Sequence, residues 1–280
     1  MSKHLPVIFL TLLASTATAQ DPFADNVVDF IPGTGIPSEF GSDPPIFFDD
    51  PTTALGSPTR VNSFGDPITP FSAPFLASEV VSIGEGGSLT VSFDEPVLND
   101  PDNPFGIDLL VFGNSFFSVT FGPPPDFATD ETSTATGLSG EGGIVSVSAD
   151  GIEFFEVVGV EADGLFPTNG FTDTVAPFPT TASAPSDFTL PVDPSLTAAD
   201  FIGLTTAEII ALFDGSGGGL GIDIGALGLS EISFVRIANP EGSGVIPEID
   251  GFVDVRAVPE PSTCLLLLSA TCFPRRRRRA

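Results

Sequence analysis

The chain has 280 residues, of which 37 are acidic and 9 basic, giving a formal net charge of −28, yet 41% of it is hydrophobic. That balance excludes an acidic disordered tail, and it excludes a nucleic-acid groove, because phosphate binding is driven by Lys and Arg displacing counterions. With 30 glycines and 28 prolines punctuating it, the chain is expected to form one all-β domain between its two ends rather than two domains.

Met1-Ser-Lys-His opens the chain, Leu5 to Leu13 is an uncharged apolar stretch, and Ala17-Thr-Ala19 precedes Gln20. A basic start, a short apolar centre and small residues at −3 and −1 predict a secretory signal peptide over 1–19, with export from the cytoplasm. A membrane-spanning helix needs about 20 apolar residues, and this stretch is shorter.

Residues 20–78 are rich in Pro, Gly, Asp and Phe and predict loops with short edge strands. Glu79-Val-Val-Ser-Ile83 and Ser88-Leu-Thr-Val-Ser-Phe93 flank Gly84-Glu-Gly-Gly87, which predicts a hairpin. Between this region and the next strand, Asp94-Glu95 and Asn99-Asp-Pro-Asp-Asn103 are expected to place acidic and amide side chains in one loop. Asp94, Asp100, Asp102 and Asn103 form the candidate metal set there, since oxygen-rich loops coordinate calcium. The spacing is not that of an EF-hand, and turn-forming Asp and Asn beside Pro explain the same residues.

Ile107 to Phe112 is a largely apolar run and predicts an interior strand. Gly143–Ser148 and Glu153–Val158, joined through Asp150-Gly151, predict a second hairpin. Residues 163–196 return to Pro- and Thr-rich loop. Thr205, Glu208 and Gly215 frame a predicted short helix as N-cap, capping-box partner and terminator. Gly218-Gly-Leu-Gly-Ile-Asp223 reads as a flexible turn; it lacks the lysine of a phosphate loop and is a single copy of a calcium repeat that works only in stacks. Glu231–Ile237 and Gly251–Ala257 predict the last strands. Arg236 and Arg256 lie within them and are expected to point outward or to pair with an acid such as Asp250 or Asp254. Short strands, turn signals and one small helix add up to a single β-sandwich with long loops over 20–257.

At the C-terminus stand Val258, Pro259, Glu260 and Pro261, an apolar segment from Cys264 to Phe273, and Arg275, Arg276, Arg277, Arg278 and Arg279. This end, 258–280, resembles the PEP-CTERM sorting signal of Gram-negative envelope proteins. The resemblance implies processing at Pro259-Glu260-Pro261 by an exosortase-like protease after passage through the export machinery. Arginines beside an apolar segment stay cytoplasmic during export, which would stall the segment transiently in the inner membrane. The apolar stretch is about ten residues, short of the 17 or more that a span wants.

Removing Lys3 and the five terminal arginines leaves Arg60, Arg236 and Arg256 against about 37 acids, a net charge near −34. The same ends hold His4, Cys264 and Cys272, so 20–257 contains no His, Cys, Lys, Tyr or Trp. Ser-His-Asp and Cys-His pairs, Schiff-base lysines, disulfides and thiolate or imidazole metal sites are therefore excluded. Without Trp or Tyr the chain is short of the usual sugar-stacking rings, and its 27 phenylalanines are expected in the core.

In this order Ser82–Phe93, Asn103–Asn114, Val147–Gly151, Pro191–Leu196, Phe201–Leu204, Asp214–Gly219, Phe234–Ile237 and Glu248–Gly251 also resemble a family of uncharacterised secreted bacterial surface proteins. That resemblance covers roughly residues 50–257, implies a jelly-roll-like sandwich at the cell surface, and brings no activity with it. The expectation is a non-enzymatic exported surface or extracellular-matrix protein. A calcium-dependent module binding extracellular polysaccharide is the alternative, and a two-carboxylate glycosidase is a more remote one.

Overall fold

A computed structural model describes residues 21–123 and 129–256. The segments 1–19 and 258–280, read above as a signal peptide and a sorting tail, lie outside the described residues.

The fold is an all-β sandwich of antiparallel sheets with two short helices. One sheet has five strands in the order β1 (Asn26–Ile31), β3 (Ser88–Leu98), β10 (Glu231–Ala238), β7 (Ile144–Ser148) and β8 (Phe155–Glu156). The other has four, in the order β2 (Val81–Ser82), β11 (Glu248–Asp254), β4 (Leu109–Gly113) and β9 (Leu220–Ile222). Between them lies the main core. Leu89, Val91 and Phe93 of β3, Val145 and Val147 of β7, and Val235 and Ile237 of β10 meet Leu109 and Val111 of β4 and Ile249 and Phe252 of β11. The alternation read in β3 is the period-two pattern that sends every second side chain inward.

The four-stranded sheet is covered on both faces. Leu110 and Phe112 of β4, with Val253 and Val255, point away from the main core and pack under Phe188 and Ile107. Double-sided burial is why 107–112 reads as a nearly continuous apolar run. The long segment 157–197 supplies much of the outer cover and, as expected, contains no strand or helix.

A second apolar cluster lies under the hairpin of β5 (Phe116–Val119) and β6 (Ala135–Ser139). The helices α1 (Ala198–Phe201) and α2 (Thr206–Phe213) close it with Phe201, Ile209 and Phe213. For α2 the capping box is as read: the Thr205 hydroxyl accepts from the Glu208 N–H, and the Glu208 carboxylate accepts from the Thr205 N–H at 2.8 Å. Gly215 does follow the helix, but Asp214 is the left-handed cap, at φ 47°. The shorter α1 was not expected, although Thr197 and Asp200 repeat the same box.

Two local readings are corrected. Residues 79–83 and 88–93 do not form a hairpin, because β2 pairs with β11 whereas β3 pairs with β1 and β10. The Gly84–Gly87 turn crosses from one layer to the other. It is held by Thr34, which exchanges N–H to carbonyl bonds with Glu85 in both directions, at 3.0 and 2.8 Å. A side chain at Gly84 would meet the Thr34 carbonyl at 2.4 Å, so the glycine is there for close approach. The predicted 143–158 hairpin does form, with Val147 opposite Phe155.

The glycine-rich stretch after α2 is not a loose turn either. Residues 220–222 are β9, paired with β4, and a side chain at Gly219 would meet the Phe112 ring at 3.0 Å. Glycine at 219 also supplies a φ of 88°. Of the two arginines expected in strands, only Arg236 lies in one, since β11 ends at Asp254 before Arg256; Arg236 donates from Nε to the Thr90 hydroxyl at 3.0 Å and lies 3.7 Å over the Phe154 ring. Arg256 acts electrostatically on Asp254. Among the described residues Asp250 meets no arginine; buried in β11, it accepts from the N–H and hydroxyl of Thr59.

Candidate functional site

The proposed metal residues are divided by the fold. Asp94 is not in a loop but inside β3, where its carboxylate accepts from the Asn26 amide at 3.0 Å across the sheet edge. Leu98 is four residue steps further along the strand, about 13 Å at roughly 3.3 Å per residue. Only after that strand end does the 99–103 loop begin. Its organiser is Asp108, fully buried just before β4 and not singled out in the sequence because it stands in an apolar run. Asp108 accepts from the Asp100 N–H at 3.0 Å, the Asn103 side-chain amide at 3.1 Å and the Ile224 N–H at 3.1 Å. Burial raises its pKa, against the pull of those donors. Asp100 in turn accepts from the Asp102 N–H.

Asp100 and Asn103 do line a groove of about 530 Å³ together with Glu95, Glu231, Asp254 and Arg256. Burial pushes the Asp254 carboxyl to about 6, with Arg256 opposing. Among the described residues no group of three or more acids, His or Cys converges as a metal site. Metal binding in the groove and screening of the whole molecule's charge would respond differently to salt. Self-repulsion should make the melting temperature rise with sodium chloride, as the Debye length falls from about 30 Å at 0.01 M to about 10 Å at 0.1 M. Calcium held at Asp100 and Asp102 would add an increment absent at matched sodium ionic strength, and Asp100→Asn with Asp102→Asn would remove it. Equal responses to the two salts would leave calcium without a site there.

Other acids also hold loops. Asp163, 0% exposed, accepts from the Ser115 N–H at 2.7 Å and the Glu248 N–H at 3.4 Å. Glu248 accepts from the Ser82 hydroxyl at 2.7 Å and from the Asn114 amide. Burial is the largest influence on all three carboxyls of this group: Asp163 is pushed to about 8, Glu141 to about 6, and Glu248 upward.

A further constellation was not foreseen. Phe64, Phe75 and Phe178 are 71%, 48% and 48% exposed, so these phenylalanines are not core. They line one cleft of about 310 Å³ with Asn62, Asp66, Ser72 and Thr180. Phe64 and Phe75 lie 6.2 Å apart, and Phe178 stacks on the exposed Phe121 at 6.1 Å.

Local chemistry sets each ring. The Asn62 side chain accepts from the N–H groups of Phe64 and Asp66, closing a tight loop with Phe64 at its tip. Glu79, nearly buried, then ties both aromatic loops together: one oxygen accepts from Ser63 N–H at 2.8 Å, the other from Phe75 N–H at 3.0 Å and Leu76 N–H at 3.2 Å. The loop bearing Phe178 is closed by Asp173, which accepts from the Ser183 N–H and hydroxyl, and is joined to the first loops where the Thr69 hydroxyl donates to the Pro177 carbonyl at 2.8 Å. The signal available in the sequence was Phe beside Pro or Gly without strand periodicity, as in Ser63-Phe-Gly-Asp66 and Pro177-Phe-Pro179.

No family model matches the chain, and no curated protein matches it.

Proposed function

We propose that the protein is an exported, non-enzymatic surface or matrix protein, a β-sandwich that displays rigidly tied loops outside the inner membrane. The observation that carries this reading is how the internal acids are used. Asp108, Asp163, Glu79 and Asp250 each accept from N–H or O–H groups of the chain itself, and those bonds tie loops to the sheets or to one another. Burying a carboxylate is expensive unless donors meet it, so these groups are structural ties for display. Delivery rests on the ends: the signal peptide over 1–19, and Pro259-Glu260-Pro261 with Arg275 to Arg279 as the substrate of an exosortase-like protease.

Mass spectrometry of envelope and extracellular material should find a chain beginning at Gln20 and lacking Arg275 to Arg279. Recovery of surface protein with His4 or the arginine cluster still attached would sink the sorting half of the proposal.

A further inference from the structure

The geometry points to the Phe64, Phe75 and Phe178 cleft as a calcium-independent binding site for a neutral glycan. The site is separate from the 99–103 loop on which calcium-dependent sugar binding would rest. It deepens the surface-protein reading by giving the displayed loops a ligand class.

Three features of the cleft select that class. At about 310 Å³ it falls at the lower end of small-ligand sites and is too small to receive a helix or strand. Its rings are exposed while anchored at the backbone, by Asn62 under Phe64 and by Glu79 under the Phe64 loop and Phe75, so ligand binding orders little that is not already ordered. Among the described residues, no hydrogen bond uses the Asp66 carboxylate, the Asn62 Nδ2, the Ser72 hydroxyl or the Thr180 hydroxyl, all of which line or adjoin the rings. A pyranose offers the matching surface, with an apolar C–H face for the phenyl rings and a rim of hydroxyls that donate to Asp66 and accept from Asn62.

Charge narrows the class further. The lining contains an acid and no cation, on a chain of net charge −28. Phosphate, sulfate and uronate groups are therefore repelled, and a neutral polysaccharide is not.

The test is affinity electrophoresis of the purified protein through gels holding soluble neutral polysaccharides (β-glucan, xylan, galactomannan) or anionic ones (alginate, polygalacturonate), with and without EDTA. At least one neutral polymer should retard the protein equally in both conditions. Phe178→Ala and Phe64→Ala should each weaken that retardation by about tenfold, the loss of one stacked ring. Because these rings are exposed, the variants should melt as the parent does, which separates lost contact from lost fold. Asp66→Asn should weaken binding without removing it. Retardation by no neutral polymer, by anionic polymers only, only in the absence of EDTA, or undiminished in the Phe64→Ala, Phe178→Ala double variant would overturn the assignment. So would a self-association seen by sedimentation that those variants abolish, which would make the cleft a contact between copies. None of these results bears on the mature ends that mass spectrometry would define, so the display reading stands or falls separately.

Discussion

Thermal stability should be highest near pH 4 to 5 and should fall steadily as the pH rises to about 8.5, the reverse of ordinary acid denaturation. The cause is a set of carboxyls whose burial raises their pKa: Asp163 to about 8, Asp250 to about 7, Glu141 and Asp254 to about 6. In the unfolded chain the same groups titrate near 4. Between those values the folded state holds more protons than the unfolded one, so each upward step in pH favours unfolding. The contribution is fully present below about pH 4 and is lost by about pH 8, where Asp163 ionises in the fold. Acids whose pKa is lowered by hydrogen bonds, such as Asp50 with Thr52 and Asp173 with Ser183, work the other way and lose their contribution below about pH 4.

One pKa unit is about 1.4 kcal/mol. Even with much of the Asp163 shift relaxed away, a few kcal/mol should disappear across this range, on the order of 10 °C in melting temperature for a domain of this size. Asp163→Asn keeps an oxygen to accept from the Ser115 N–H but cannot ionise, so melting curves of that variant should show a clearly shallower decline above pH 6. A parent protein as stable at pH 8.5 as at pH 5, or a variant with the parent's slope, would refute the argument.

Phe201→Ala should be among the most damaging single substitutions. The ring is fully buried, stacks on Phe117 at 5.0 Å, and meets Phe166 and Phe213 edge-on at 6.1 and 6.2 Å. Truncation removes the hub of the second apolar cluster and leaves a cavity among side chains that helix capping and the β5 to β6 hairpin hold in place. A cost of about 3 to 5 kcal/mol is expected for such a Phe to Ala change. If the sandwich and the helical cluster unfold together, as expected for one domain, the denaturation midpoint moves with an unchanged slope. Two separate transitions would show that the cluster is a unit of its own. No loss of stability would contradict the packing role assigned to the ring.

Much of this protein was decided by its sequence alone. The all-β class follows from period-two runs such as 88–93, and α2 from its Thr205 and Glu208 box, because these are local preferences of neighbouring residues. The excluded chemistry also needs no structure, since a segment without His, Cys or Lys cannot use them wherever it folds. Tertiary structure decided the rest. Whether Val81 pairs with Phe93's strand or with Ile249 depends on Thr34, some fifty residues from the turn it grips, and no local rule contains that contact. Asp108 and Asp163 look like any other acid in a chain with 37 of them; only burial separates them, and burial is set by segments distant in sequence. The same holds for phenylalanine. Phe201 and Phe64 are chemically identical, yet packing against Phe117, Phe166 and Phe213 leaves the first ring in the core, while the Asn62 turn and the Glu79 clamp leave the second lining a cleft. Desolvation and exposure are properties of the assembled surface, which the order of residues specifies only through the fold.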